Sequence, residues 1–165
     1  RFLPVSETGA VAADTGRRRV SVEYSDWYGR RTTIHRWLSF AMLPLFAASY
    51  ASGDQILRAD RRSDAPAWAR DLHPIAAGAT AGVFGLNTIT GVWNLWDSRK
   101  DPEGRTKRWL HAGAFMLANA GFVYAGSLGD EASEDGDVRN RHRAVALGSM
   151  GLSTASWLFM LITNR

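Results

Sequence analysis

Apolar residues in this chain gather into four long segments, residues 37–52, 74–96, 112–128 and 144–163, separated by polar connectors. Each is close to the ~20 residues that cross a bilayer as a helix. The last three hold no Lys, Arg, Asp or Glu at all, whereas a helix of a soluble bundle keeps one polar face. The pattern predicts an all-α integral membrane protein, an up-and-down four-helix bundle over residues 25–165. A polar tail, residues 1–24, precedes it. The tail lacks the apolar core of a signal peptide.

Helix punctuation places the elements. Ser25 or Asp26 suits the first N-cap, Pro44 a bend within that helix, and Gly53 its end. Asp71 followed by Pro74 reads as cap and first turn of the second helix, which closes on the interfacial Trp93 and Trp96. Asp101-Pro102 repeats the cap-then-proline signal before the third helix. The acidic stretch 130–137 leads into the fourth, from about Asp137.

Composition narrows the chemistry. The chain has no cysteine, which excludes disulfides, thiolate-held iron–sulfur clusters and covalent haem attachment. Arg17, Arg18 and Arg19 form a small basic cluster in the tail. With a net charge of +4, the basic residues flank apolar segments, as membrane helices require, and do not form a nucleic-acid surface. The face receiving residues 1–36, the 97–108 connector and Arg165 carries 13 Lys+Arg against 7 Asp+Glu; the opposite face carries 7 against 9. The positive-inside rule then puts both termini in the cytoplasm of a bacterial-type inner membrane or its equivalent.

The four histidines fall one at the start of each apolar segment: His35, His73, His111 and His142. Ionisable groups at membrane depth are functional by default. Alternating helix directions pair His35 with His111 near one surface and His73 with His142 near the other. The rise of a helix separates the pairs by roughly 20 Å, so one four-histidine metal site is excluded. Two isolated zinc sites would each lack ligands. Two imidazoles per site at two depths match two non-covalent b haems. Residues sharing each histidine's face are mostly small, among them Ser39, Ala76, Ala77, Ala114, Ala118 and Ala146. Arg31, Arg36 and Arg108 lie beside the first pair and Arg70, Arg141 and Arg143 beside the second, as candidate partners for haem propionates. The mid-span Asn87 and Asn119 each need an interhelical partner.

Four helices with one histidine each, paired first-with-third and second-with-fourth, resemble the core of the transmembrane di-haem b cytochromes that work with ascorbate. They are similar too to the cytochrome b subunits of membrane oxidoreductases. The resemblance spans residues 25–163 and implies axial roles for His35, His73, His111 and His142 only. The chain lacks the further helix that the ascorbate-linked family carries on each side of its core, which favours a small electron-transfer subunit over a stand-alone enzyme. The expected partners are the lipid bilayer, other redox subunits of a membrane complex and, as one acceptor, a quinone. Two alternatives use the same segments: a bacteriochlorophyll-binding protein, and a cofactor-free structural subunit of a membrane complex.

Overall fold

The computed structural model describes residues 22–59 and 61–163 of the chain. Residues 1–21, with the Arg17–Arg19 cluster, and the terminal Arg165 lie outside the described residues. Four helices follow one another: α1 (Tyr28–Arg58), α2 (Ala67–Asp97), α3 (Arg105–Ser127) and α4 (Gly136–Thr163), with single 3-10 turns at Arg62–Asp64 and Glu131–Ser133. Among the described residues there is no strand.

The helix boundaries differ from the expected ones for identifiable reasons. Neither Ser25 nor Asp26 caps α1. Instead, Ser25 Oγ donates to Asp97 and accepts from Arg31. The helix passes through Pro44 and Gly53 to Arg58, its last turn supported by an Arg58–Asp54 ion pair one turn apart. Pro66, not Asp71, sits at the N-cap of α2, so Pro74 lies inside that helix. Asp101 Oδ1 accepts the N–H of Glu103. Gly104 then takes φ +66° to turn the chain into α3, a conformation glycine adopts without the cost of a Cβ. Asp135 Oδ1 accepts the N–H groups of Asp137 and Val138 and so caps α4. Those two amides hold the Asp135 carboxyl below the usual carboxylate range.

The helices assemble as two antiparallel hairpins. α1 lies along α2 and α3 along α4, while contact between the hairpins is much thinner. Where they meet at mid-height, Phe84 stacks on Phe115 with centroids 4.7 Å apart, and Phe46 and Phe122 close the cluster.

Beside the apolar cluster the interior holds many polar side chains, and many large apolar ones face outward. Ser39, Ser49, Ser52, Thr80, Asn87, Ser149, Ser153 and Ser156 are buried, whereas Trp37 and Val123 are 70 % exposed and Ile75 and Leu117 67 %. Most of the inward hydroxyls satisfy themselves on a carbonyl of their own helix, as Ser39 does on His35, Thr80 on Ala76 and Ser153 on Ser149. That bond lets a polar group sit in an apolar interior without a partner helix. Two helices, α2 and α4, are long and apolar enough to cross a membrane; α1 and α3, expected to match them, are not among them. α1 spends its inward face on serines, and α3 is shorter and carries Asn119 mid-helix.

At the end that holds the α2–α3 connector, Arg31 is paired with Asp97 and accepted by Asn94 Oδ1. Tyr24 donates to Asp101 Oδ2 at 2.6 Å. This bond raises the Tyr24 hydroxyl to about 12 and lowers the Asp101 carboxyl. The two shifts have opposite consequences. The contribution of Asp101 is complete above its ordinary pKa and is lost as pH falls through its depressed value. That of Tyr24 is complete below its ordinary pKa of 10.0 and is lost as pH rises towards 12. In an ultraviolet titration of the four tyrosines, one phenolate is expected to appear last, and Tyr24→Phe to remove that step. A last, late phenolate that persists in the Tyr24→Phe chain would show that the contact does not form in solution.

Candidate functional site

Each histidine lies six or seven residues into its helix and is held by the far end of its hairpin partner. His35 Nδ1 lies 3.1 Å from Thr90 Oγ1, and His73 Nδ1 is 3.1 Å from the carbonyl of Ser49. His111 Nδ1 is 2.8 Å from Ser156 Oγ, and His142 Nδ1 is 2.8 Å from the carbonyl of Ala125. These partners fix the tautomer. The carbonyls facing His73 and His142 can only accept. The hydroxyls of Thr90 and Ser156 donate to the carbonyls of Leu86 and His111, leaving their oxygens to accept from His35 and His111. In all four rings Nδ1 therefore carries the proton and Nε2 keeps its lone pair. A hydrogen-bond acceptor on one ring nitrogen is how proteins orient histidines that ligate a metal through the other.

The rings meet in two pairs across the thin seam between hairpins. His35 and His111 have centroids 6.2 Å apart, and His73 and His142 likewise 6.2 Å. On α3 the levels of the two pairs, His111 and Ala125, are separated by about 14 residues, roughly 21 Å at about 1.5 Å per residue. Two imidazoles bound on opposite sides of one metal ion, at about 2 Å per metal–nitrogen bond, would place their centroids roughly 6 Å apart. Among the described residues no three His, Asp or Glu side chains converge on a point, so each pair offers two ligands and needs the rest from elsewhere.

Glycines give the rings their seats. A Cβ on Gly53 would stand 3.0 Å from His73 Cε1, and one on Gly91 3.2 Å from His35 Cε1. Gly53, which reads as a helix terminator, is thus a point of close approach within α1. Between the pairs, Asn87 is fully buried, its Nδ2 3.4 Å from Ser39 Oγ and its Oδ1 without a partner. Asn119 donates to Thr88 Oγ1 on α2.

The six arginines divide. Arg31 is committed to Asp97, and Arg108 to the carbonyls of Glu103, Ser98 and Asp101, so both brace the connector end. Arg36 and Arg141 are exposed. Arg70 is half-buried, its Nε without a partner. Arg143 lies 3.7 Å from Asp54 and lines a cavity of about 140 Å³ beside His73 and His142. Arg62 and Arg139 line it too. Sequence reasoning missed both: Arg62 belongs to a connector, away from His73 in number though not in space, and Arg139 lies one turn before His142 in α4.

No protein-family model, curated protein or solved structure matches the chain.

Proposed function

We propose that the chain is a four-span membrane cytochrome b, holding one haem between His35 and His111 and a second between His73 and His142, and carrying electrons across the bilayer as a subunit of a membrane redox complex. The observation that carries this reading is the double histidine pair: four Nδ1–H groups tied to the protein, four Nε2 lone pairs left over, and both pairs spanning the seam where the hairpins touch least. Haem, when bound, supplies reversible one-electron chemistry. The protein's residues orient the imidazoles, set their basicity and keep water away.

The outward apolar residues and inward hydroxyls support the membrane setting, since apolar side chains that face lipid are removed from water. The cavity beside His73 is smaller than the roughly 300–1,000 Å³ of most ligand pockets. Seating a macrocycle therefore requires the hairpins to part at this end.

The test is an absorption spectrum of the purified chain before and after dithionite, with haem quantified as the pyridine haemochrome. Two low-spin b haems per chain are expected. A chain that stays colourless after expression with added haem, or gives only high-spin signals, would overturn the reading. Gly53→Val is expected to empty the His73–His142 site selectively, because the added methyls would stand where the ring stands. Retention of both haems by that variant would mean the ring is free to move.

A further inference from the structure

The two ends of the bundle differ in charge and in aromatic residues. Among the described residues, the end holding the α2–α3 connector carries 8 Lys+Arg against 5 Asp+Glu over residues 22–36 and 97–108. The opposite end carries 7 against 8 over residues 54–72 and 129–143. The exposed Trp27, Trp37, Trp93, Trp96 and Trp109 lie at or near the first end, and Trp68 is exposed at the other. The way the charges are spent sharpens the contrast. Asp97 is paired with Arg31, Asp101 lies 3.8 Å from Arg108 and accepts from Tyr24, and Lys107 donates to the carbonyl of Thr163. The remaining acids of that end are the exposed Glu23, Asp26 and Glu103, facing Arg30, Arg36, Arg99, Lys100 and Arg105. Those cations make no ion pair among the described residues. Two of them are held by indoles. The Arg30 guanidinium lies 5.0 Å from the centroid of Trp27 and that of Arg99 4.0 Å from Trp96, with Arg99 Nη1 also donating to the carbonyl of Trp96. Stacking occupies the flat face of a guanidinium and leaves N–H groups on its edge, where they can take phosphate oxygens in pairs. An indole settles at headgroup depth in a bilayer, so a cation stacked on it stands at the level of lipid phosphates.

Resting on the membrane reading above, we infer that this end of the bundle is a docking surface for anionic phospholipid: Arg30 and Arg99, stacked on Trp27 and Trp96, together with Lys100 and Arg105, bind headgroup phosphates and gather acidic lipid around the chain in one leaflet only. The selection is made by net charge. A zwitterionic headgroup offers the same phosphate but brings its own ammonium to a surface that is already cationic, whereas an acidic headgroup brings none. The opposite end, with its slight excess of acids, repels the same lipid.

The experiment places the full chain in phosphatidylcholine vesicles with a trace of spin-labelled phosphatidylglycerol or spin-labelled phosphatidylcholine. Electron spin resonance then reads the fraction of each label slowed by contact with protein. Phosphatidylglycerol is expected to associate at least about twofold more strongly, a basic residue at the surface being worth several-fold at its own site and the other end diluting the average. The preference is expected to shrink as salt is raised and charges are screened. Arg30→Gln, Arg99→Gln, Lys100→Gln and Arg105→Gln combined are expected to abolish it, and Arg61→Gln at the opposite end to leave it intact. Equal slowing of the two labels, or a preference indifferent to salt, would overturn the lipid selection and leave the membrane setting standing. A preference retained by the fourfold variant would overturn its assignment to this end. No slowed fraction of either label would overturn the membrane reading itself. The salt series needs no variant, so misfolding of the fourfold variant would not rescue the inference.

Discussion

His35→Ala and His111→Ala are each expected to remove the same haem and leave the other low-spin, and His73→Ala and His142→Ala to do the reverse. The partition follows from the two 6.2 Å ring pairs. An alanine at one member leaves a single imidazole, and among the described residues no three His, Asp or Glu side chains form a ligand cluster at either pair. Roughly 21 Å of helix between the levels keeps each loss local. Loss of the His73-dependent haem on His35→Ala would refute the pairing. Ser156→Ala should act more gently, in the range of about 10–100-fold for loss of a group that orients a ligand. It removes the hydroxyl beside His111 Nδ1 but leaves the Ser156 carbonyl 3.3 Å away.

The number of helices and the placing of one histidine near each helix start were legible because both are written in long apolar runs and in their flanks. Boundaries were less so. Gly53 and Pro74 are strong local signals, yet at Gly53 the small side chain serves the His73 ring, and Pro74 is simply carried within α2. A residue type that ends helices and also permits close approach cannot be resolved by local sequence. The arginines were the least legible. Arg31 stands one turn before His35, but its partner Asp97 lies 66 residues away. Only the antiparallel packing of α1 on α2 decides that its charge is already taken. Arg62 reaches the second pair because a turn folds back over it, a proximity with no trace in residue spacing, whereas Arg139, one helical turn before His142, was legible from spacing alone.

The sharpest test of the membrane setting concerns α3. Lys100→Cys, in the α2–α3 connector, and Glu134→Cys, in the α3–α4 connector, are expected to react with an impermeant thiol reagent from opposite sides of sealed vesicles. The absence of native cysteine makes each variant singly reactive. Hydropathy alone favours only α2 and α4 as spans, and a chain crossing only there would leave both connectors on one side. The surface of α3 argues otherwise. Leu110, Leu117 and Val123 are 60 %, 67 % and 70 % exposed, and its polar Asn119 turns inward to Thr88. The exposed Trp27, Trp93, Trp96 and Trp109 all gather at the end that holds the Lys100 connector, the clustering expected of an aromatic belt if that end lies at a bilayer surface. Reaction of both cysteines from the same side would remove α3 from the membrane. It would also remove the physical reason for holding His111 and His142 at opposite faces.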